Sequence, residues 1–211
     1  MNYLASSSFY DYDSAEVQSL IAEFVDSRLT QPEIAERLYL KIRDGWRYNP
    51  YRISLRPEDY VASNITQRKE AHCIEKSVLL IACYRALGLP ARIHLAKVKN
   101  HIGVERLIEK IGSDELAPHG MVNVLIDGQW LKASPAFNAE LCLMLGVDPL
   151  DFNGKEDSVF QEYNKAGQQF MEYLEDYGHF EDVPVDFIKE TFRKNYPQIF
   201  DQVKGKGYIE L

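Results

Sequence analysis

The stretch "EAHCIEKSVLLIACYRALGLPAR", residues 70–92, has the pattern of a buried helix that begins with a cysteine. Its middle, "VLLIAC", is apolar on most sides, which predicts a helix with little solvent contact. Its tail, "LGLP", ends the helix, because Gly88 can take the left-handed conformation and Pro90 cannot continue a helix. The first turn places Cys73 beside a histidine, a glutamate and a lysine. Cys73 is therefore either a core residue or a nucleophile at a helix N-terminus.

The composition is that of a folded globular protein and not of a nucleic-acid or membrane protein. The 211 residues are 45% hydrophobic and 27% charged, with a net charge of −8. An acidic chain gains no counterion release from phosphates, so no nucleic-acid partner is predicted. The longest apolar run, "VLLIAC", is far shorter than the roughly 20 residues that span a bilayer, so no membrane partner is predicted either.

The cysteines and the start of the chain predict a cytoplasmic protein. Cys73, Cys83 and Cys142 are an odd number without CxxC spacing, which favours reduced thiols over a disulfide framework. The opening "MNYLASSSFYDYD" has neither a basic nor an apolar signal region, so no secretory signal is predicted. Cys83 and Cys142 lie inside apolar helical runs and are predicted to be core residues. The histidines lack ligand spacing such as HExxH, so no metal and no cofactor are predicted.

The remaining patterns predict helices first and strands later, which is an α+β order. Asp13 and Glu16 form a capping-box pattern before a first helix, and a second helix follows Pro32. Segment 47–69 has no clear period and is predicted to be loop. The later predicted elements are a strand at 91–99, a short helix capped by Asn100 and ended by Gly112, a hairpin at 121–134, a helix at "AELCLML", a long helix from near Asp157 and a last helix near Asp186.

The hairpin "MVNVLIDGQWLKAS" places a histidine on a defined face of the sheet. Asp127 and Gly128 suit a two-residue type I′ turn, in which Leu125 faces Trp130. Side chains alternate along a strand, so His119 shares the mixed face with Trp130 and has Ser134 as its diagonal cross-strand neighbour. The other face is apolar and is predicted to be the core side: Val122, Val124, Ile126, Leu131 and Ala133.

Cys73 and His119 together are the residue types that nucleophilic acyl transfer requires. A helix N-terminus carries partial positive charge and favours a thiolate. A nearby imidazole takes the thiol proton and later returns one to a leaving amine. A third group must orient the ring. The sequence predicts that Cys73 is such an activated thiol.

These segments resemble the transglutaminase-like superfamily. In that family a cysteine begins a buried helix that ends in "RALGLPAR"-type sequence, a histidine opens a strand, and an aspartate closes the facing strand. The matching segments are "HCIEKSVLLIACYRALGLPAR", "HGMVNVLIDGQWLKASP" and "RLYLKIRDGWRYNPY", within residues 33–138. Phrases such as "YLASSSFYDYDSAEV" and "GVDPLDFNGKEDSVF" extend a narrower likeness, to a bacterial subgroup of transglutaminase-domain proteins, over residues 3–197.

The resemblance implies that Cys73 is the nucleophile and His119 the general base. The third position departs from the family, because Ser134 stands where the family has aspartate. A neutral serine accepts a hydrogen bond from imidazole but cannot stabilise imidazolium by charge. Asn138 is an alternative orienter of the kind that papain-like enzymes use. Three further residues stay open as alternatives: Asn123, Asp148 and Asp151.

Two residues are candidates for contacts with the substrate. Gln67 lies six residues before Cys73, the separation of the oxyanion glutamine in papain-like proteases, and the Cys73 backbone N–H is the natural second donor. Trp130 lies on the His119 face, where it either packs or contacts substrate.

The sequence thus predicts one α+β domain over residues 1–211, of papain-like, transglutaminase-core architecture. The central helix carrying Cys73 packs on an antiparallel sheet, in a core of about 33–138 with a helical C-terminal extension of about 139–211. The predicted function is thiol-dependent acyl transfer on amide bonds through a cysteine thioester, with hydrolysis of peptides, proteins or small amides favoured over amine transfer. The alternative is a non-catalytic binding or scaffolding protein with the same fold, which the serine at position 134 supports.

Overall fold

The fold is α+β, with a four-stranded antiparallel sheet and helices around it. A computed structural model describes residues 2–25, 28–204 and 207–210. The helices are α1 (Ala15–Ile21), α2 (Gln31–Gly45), α3 (Ala62–Thr66), α4 (Cys73–Ala86), α5 (Glu105–Ile111), α6 (Ala139–Met144), α7 (Val185–Asn195) and α8 (Pro197–Lys204). The strands are β1 (Arg47–Tyr48), β2 (Arg52–Ser54), β3 (Glu70–Ala71), β4 (Ala91–Asn100), β5 (Glu115–Ile126), β6 (Gln129–Ala133), β7 (Met171–Phe180) and β8 (Tyr208–Glu210). A 3₁₀ turn covers Pro57–Tyr60.

The central helix α4 is enclosed by the sheet on one side and by α2 and α3 on others. Each of its residues from Cys73 to Arg85 is buried, as the apolar pattern predicts. Tyr84 donates a hydrogen bond of 2.8 Å from its hydroxyl to the Ala35 carbonyl of α2. The helix starts at Cys73, and Gly88 takes a φ of 78° just beyond its end, as predicted. The helix is therefore the centre of the core.

The main sheet has the strand order β6-β5-β4-β7, and every neighbouring pair is antiparallel. The predicted hairpin is confirmed: Leu125 pairs with Trp130 and Ile126 pairs with Gln129 around the turn. The face predicted to be apolar is buried. The strand β6 ends at Ala133, so the first residues of β5 have no partner on that side. This open edge at the start of β5 is where the site lies.

Two predicted helix caps are wrong. The α1 cap is Ser14, whose side chain accepts from the Val17 backbone N–H, and not Asp13. The predicted first-helix segment runs past Ile21 to residues 26–27, which lie outside the described part of the chain. Asn100 does not cap α5, because the strand β4 continues through it and α5 begins only at Glu105.

The helical C-terminal extension is only partly confirmed. The helix predicted from near Asp157 is instead an irregular segment followed by β7, which adds a fourth strand to the sheet. Ser158 pairs with Ala133 in a parallel bridge. The edge of β4 provides backbone hydrogen-bond partners for β7. This pairing joins segments that are distant in the chain, so the local composition, which is typical of a helix, does not reveal it. The helices at "AELCLML" and near Asp186 are present as α6 and α7.

The helices can also be assessed for membrane insertion. No helix within residues 2–25, 28–204 and 207–210 is both long and apolar enough to cross a bilayer.

Candidate active site

The start of α4 is fixed by a reciprocal cap. The His72 ring accepts at Nδ1 from the backbone N–H of Ile74 at 3.1 Å and of Glu75 at 3.4 Å. Glu75 in turn accepts from the His72 backbone N–H at 3.0 Å. A ring nitrogen that accepts must be unprotonated, and burial lowers the pKa of His72 accordingly. His72 is thus a structural cap that sets where Cys73 begins the helix.

A network of charges beneath this cap holds the first turn in place. Glu75 is buried and binds Arg68 at 2.6 Å and Arg52 at 3.4 Å. The same two guanidinium groups bind Asp59, at 2.5 Å and 3.4 Å respectively. Each arginine thus joins the helix start to the turn at Pro57–Tyr60. The network therefore ties the first turn of α4, which begins with Cys73, to the preceding segment of the chain.

The Cys73 thiol lies among polar groups but is kept from water. The side chain is buried, and backbone N–H groups of Gly120, Ile74 and Cys73 itself lie against the sulfur. The Tyr48 hydroxyl also lies near the thiol. Burial outweighs these donors and raises the pKa of Cys73 to about 11. The activated thiolate predicted from the helix N-terminus is therefore replaced by a protonated thiol in this conformation.

Close packing at Gly120 places the cysteine beside the start of β5. A Cβ on Gly120 would lie 2.7 Å from the Ile74 Cα and 3.0 Å from its backbone nitrogen. Only glycine leaves room for the two backbones to approach this closely. Ile74 follows Cys73 and Gly120 follows His119 in the chain. The contact therefore fixes the backbone immediately after Cys73, the predicted nucleophile, against the backbone immediately after His119, the predicted base.

His119 is buried against Ser134 and is neutral. Its Nε2 lies 3.5 Å from the Ser134 hydroxyl, the neighbour that the hairpin register predicts. Its Nδ1 is buried and has no hydrogen-bond partner in the described part of the chain. Burial, with a smaller contribution from the nearby His72, lowers the pKa of His119 to about 4. No hydrogen bond joins the ring to Cys73 among the residues that the structure describes, so the free Nδ1 remains available for proton transfer.

Three of the alternative orienters of His119 have other partners, whereas the Oδ1 of the fourth, Asn123, has no hydrogen-bond partner in the described part of the chain. Asn138 accepts at Oδ1 from the Tyr48 backbone N–H at 3.0 Å, so it positions Tyr48. Asn123 is buried on the sheet. Asp151 binds Arg43 at 2.5 Å, and Asp148 binds Lys165 at 2.9 Å. Of the five candidates, Ser134 is the one with a contact to the imidazole.

The structure does not bring Gln67 or Trp130 to Cys73. The Gln67 side chain is exposed and donates to the Thr66 hydroxyl at 3.4 Å, so the predicted oxyanion role lacks a geometric basis. Trp130 packs under the Arg92 guanidinium at 4.0 Å and against the Tyr3 ring at 5.2 Å. It pairs with Leu125, six residues along β5 from His119, which is roughly 20 Å at strand spacing. The Gln67 prediction relied on chain separation, which does not determine the path of a loop. Trp130 shares the face of His119 but packs at the far end of the hairpin, which is the first of its two predicted roles.

Cys73 opens onto an apolar cavity of about 70 Å³. We call it the Cys73 cavity; its walls include His72, Tyr48, Tyr60, Ile188, Phe192 and Tyr196. The last three belong to α7 or follow it directly. Tyr196 is anchored by donating its hydroxyl to the Glu115 carbonyl at 2.6 Å and by accepting from the Ala117 N–H at 2.8 Å. A carbon chain next to the sulfur would therefore meet an apolar, preformed surface.

Lys76, one turn after Cys73, is fully buried and serves the fold. Its Nζ donates to the carbonyls of Arg43, Trp46 and Ala136, at 2.7 to 2.9 Å. These carbonyls come from the end of α2 and from the segment after β6. Burial lowers the pKa of Lys76 to about 7. The lysine beside the cysteine is thus a link between three segments and not a partner of the thiol.

The sequence predicts the helix α7 but not its place in the wall of the Cys73 cavity, and it does not indicate that the Tyr48 hydroxyl lies near Cys73. Tyr48 lies in segment 47–69, for which the sequence predicts a loop with short elements. The match of "RDGWRYNPY" to the family is the observation that could have pointed to this residue. No local sequence pattern indicates that α7 lines the Cys73 cavity, because the pattern of an amphipathic helix does not reveal which surface the helix covers.

Comparisons with known proteins agree with the sequence resemblance. A model of the transglutaminase-like superfamily matches residues 18–135. Among solved structures, a candidate cysteine protease from Cytophaga hutchinsonii is similar, with 16% identity and a TM-score of 0.44. The match covers 84% of this chain and 53% of that protein, so the chain spans about half of its length. No curated protein matches the chain.

Proposed function

The chain belongs to the transglutaminase-like superfamily, and on that premise we propose that it transfers acyl groups from amides through a thioester on Cys73. The observation that supports the proposal is the close Gly120–Ile74 contact, because Cys73 precedes Ile74 and His119 precedes Gly120 in the chain. Peptides, proteins and small amides with an apolar acyl side are the substrates that the Cys73 cavity fits. Hydrolysis is favoured over transfer to an amine, because no amine-donor site is evident in the part of the chain that the structure describes.

The reaction begins from neutral groups, because both pKa shifts disfavour an ion pair before substrate binds. The Cys73 sulfur bonds to the carbonyl carbon while its proton passes to the free Nδ1 of His119. The resulting oxyanion collapses, the C–N bond breaks, and the amine leaves with the proton from His119. Water then gives a proton to His119 and bonds to the thioester carbon, releasing a carboxylic acid and the Cys73 thiol.

Donors at the Cys73 sulfur supply the electrostatic stabilisation that this chemistry requires. The Cys73 backbone N–H and the Tyr48 hydroxyl replace Gln67 as the proposed oxyanion donors, since both lie at the sulfur. Asn138 holds the backbone of Tyr48, and so positions one donor. Ser134 orients His119 without charge, which leaves the imidazolium less stabilised than an aspartate would.

A binding or scaffolding function is the second candidate. It is favoured by the protonated Cys73 thiol and by the neutral Ser134 where the family has aspartate. In this function the cavity and the fold bind a partner, and no thioester forms.

Acylation by p-nitrophenyl hexanoate separates the two functions. The first carbons of its hexanoyl chain meet the apolar walls of the Cys73 cavity, and its good leaving group makes acylation easier than that of an amide. We expect a stoichiometric burst of p-nitrophenolate and a hexanoyl adduct on the peptide that contains Cys73. Hexanoyl p-nitroanilide then tests whether an amide is cleaved.

Three variants control the experiment. Cys73→Ala is expected to abolish the adduct, whereas Cys83→Ala, in the same helix and also buried, is expected to leave it intact. His119→Ala is expected to slow acylation by roughly 10²-fold or more, the usual contribution of a general base. A folded protein in which Cys73 stays unmodified, or whose burst survives Cys73→Ala, would exclude the catalytic function and support the binding function.

A further inference from the structure

The cap at the start of α4 also determines which nitrogen of the His72 ring carries the proton. Nδ1 accepts from the backbone N–H groups of Ile74 and Glu75, so it holds no proton. A neutral imidazole has one N–H, and with Nδ1 as an acceptor that N–H is at Nε2. Burial lowers the pKa of His72 and so keeps the ring neutral. The ring therefore presents a hydrogen-bond donor on the nitrogen that the cap does not use.

This Nε2–H reaches the Cys73 cavity and has no acceptor. The His72 ring is part of the cavity wall, and the residue is 9% exposed. No hydrogen bond joins Nε2 to another residue in the described part of the chain. The enclosed side-chain atoms without a partner in that part include Nδ1 of His119 but not Nε2 of His72. An acceptor in the cavity can therefore contact this donor.

Other polar side chains of the wall have already donated their protons. The Tyr60 hydroxyl donates to the Ser54 carbonyl at 2.7 Å, and the Ser54 hydroxyl donates to a carboxylate oxygen at 2.5 Å. The Tyr196 hydroxyl donates to the Glu115 carbonyl at 2.6 Å. None of these three hydroxyls offers its proton to a ligand. The His72 N–H is thus a donor that the fold leaves for the occupant of the cavity.

The size and polarity of the Cys73 cavity define the group that fits it. Its volume of about 70 Å³ is about half of the ~150 Å³ that accommodates benzene, so roughly three or four heavy atoms enter. A donor without an acceptor in apolar surroundings is unfavourable, so a group that carries an acceptor is favoured over a hydrocarbon of the same shape. The fitting group is therefore short, uncharged and equipped with one acceptor oxygen.

We propose that the Nε2–H of His72 binds a carbonyl oxygen of the group that occupies the Cys73 cavity, which makes His72 a specificity-determining residue. The favoured substrates are then acyl groups with a second carbonyl a few bonds from the scissile one, as in a peptide, rather than plain alkyl amides. The donor follows from the cap and the cavity, while the identification of the occupant as the acyl group rests on the proposed function of Cys73.

Disulfide exchange at Cys73 tests the donor without any catalysis. Mercaptoacetone and 2-methylpropane-1-thiol have the same shape, but the first carries a carbonyl oxygen where the second carries a methyl group. Each forms a mixed disulfide with Cys73, and its equilibrium constant, relative to exchange with glutathione, reports how well the tethered group fits the cavity. Peptide mapping confirms the site. We expect the preference for mercaptoacetone to be about fivefold greater in wild type than in a variant without the donor, the value of one hydrogen bond.

His72→Asn removes this donor and keeps the cap. Asparagine is a preferred N-cap residue whose side-chain oxygen accepts from the same backbone N–H groups, and it has no atom in the place of Nε2. Tyr60→Phe is the matched control, because Tyr60 is in the wall but its hydroxyl proton is already donated to Ser54. We expect the wild-type preference in Tyr60→Phe. An equal preference in wild type and His72→Asn would overturn the proposal, and so would a loss confined to Tyr48→Phe, which would assign the donor to Tyr48.

Nitrogen-15 NMR of the wild-type protein provides a test that needs no folded variant. The ring nitrogens of His72 have different shifts in the two neutral tautomers, and we expect the tautomer with the proton on Nε2. The signal of this proton should move downfield when mercaptoacetone is tethered to Cys73, and should not do so with 2-methylpropane-1-thiol. A proton on Nδ1, or the same response to both thiols, would overturn the proposal.

Acylation by two matched esters tests whether the occupant is the acyl group of the substrate. We expect p-nitrophenyl 4-oxopentanoate to acylate Cys73 about fivefold faster than p-nitrophenyl 4-methylpentanoate, after correction for their rates with free cysteine, and His72→Asn to remove this advantage. A preference in disulfide exchange without an advantage in acylation would overturn the identification of the occupant as the acyl group. Failure of both esters to acylate Cys73 would instead contradict the proposed function, and the donor would still be tested by disulfide exchange.

Discussion

At the scale of single residues, two effects compete at the Cys73 thiol. The helix N-terminus and three backbone N–H groups favour the thiolate, while removal from water favours the thiol. Burial wins, and the pKa rises to about 11. The same effect lowers the pKa of His119 to about 4. The site therefore rests as a neutral pair, and proton transfer must accompany attack on the substrate.

The pH dependence of alkylation follows from the raised pKa of Cys73. Only the thiolate reacts, so we expect the rate of Cys73 alkylation by iodoacetamide to rise about tenfold per pH unit from pH 7 to 10. At pH 7 the rate should be lower than that of the same thiol in the denatured chain. Rates measured by peptide mapping check this, with the deeper Cys83 as the internal comparison. A plateau reached near pH 6 would instead indicate a thiolate–imidazolium pair.

Ser134→Asp restores the charged partner that the family pattern has. A carboxylate in contact with the ring stabilises imidazolium, so the pKa of His119 is expected to rise from about 4 toward the ordinary imidazole range. Titration of the His119 ring by NMR measures this. Acylation by p-nitrophenyl hexanoate should be faster in the same variant.

Ser134→Asn is the matched control, because asparagine has the shape of aspartate without its charge. We expect the pKa of His119 to stay low in this variant. An equal rise of the His119 pKa in both variants would mean that a change in the burial of His119, and not the charge at position 134, is the cause.

At the scale of elements, the site depends on how closely β5 approaches α4. Gly120→Ala puts a methyl group 2.7 Å from the Ile74 Cα, where backbone must move. We expect a loss of about 1–3 kcal/mol in the free energy of unfolding, typical of overpacking, and a larger relative loss of acylation as Cys73 and His119 separate. Thermal unfolding and the burst assay measure the two effects.

Gly45→Ala is the matched control for this substitution. A Cβ at Gly45 meets no atom within 4 Å, and Gly45 ends a helix, where alanine is the better helix former. We expect unchanged or slightly greater stability and unchanged acylation. If Gly120→Ala behaved like Gly45→Ala, the close junction would not be what positions the site.

Elements with a local signal were predictable from the sequence, and contacts between distant segments were not. The α4 limits follow from apolar pattern and the "LGLP" stop, and the register of Leu125 with Trp130 follows from the turn at Asp127 and Gly128. The segment that forms β7 has a helical pattern, so the sequence predicts a helix there. Its pairing with the edge of β4 is a contact between distant segments, which a local pattern does not reveal. Lys76 likewise has an ordinary helical sequence context, and its burial depends on three carbonyls from two remote segments. The contact of Ser134 with His119 was predictable because hairpin register is local, and the same register located Trp130, whereas the position of Gln67 relative to Cys73 depends on the path of a loop.

At the scale of the whole molecule, the C-terminal helices complete the site that the family core begins. The matched region ends at residue 135, yet α7 and Tyr196 form one wall of the Cys73 cavity. Phe192 and Tyr196 also form a small apolar cluster with Ile199 of α8, apart from the main core. Burial of the thiol, and hence its raised pKa, therefore depends in part on residues beyond the family core.

Phe192→Ala tests whether α7 controls the reactivity of Cys73. Removing the ring opens the cavity wall and admits water, so the pKa of Cys73 should fall toward its ordinary value and alkylation at pH 8 should become roughly tenfold faster. The loss of a buried phenyl ring is expected to cost about 3 kcal/mol of stability. Ile199→Ala removes a side chain from the same cluster without reaching the Cys73 cavity, and it should destabilise the protein while leaving the alkylation rate unchanged. Both variants destabilise the C-terminal helices, but only Phe192→Ala opens the Cys73 cavity. If alkylation became equally faster in both, the cause would be general destabilisation of these helices. If alkylation became faster in Phe192→Ala alone, α7 would be the element that keeps water from the Cys73 thiol.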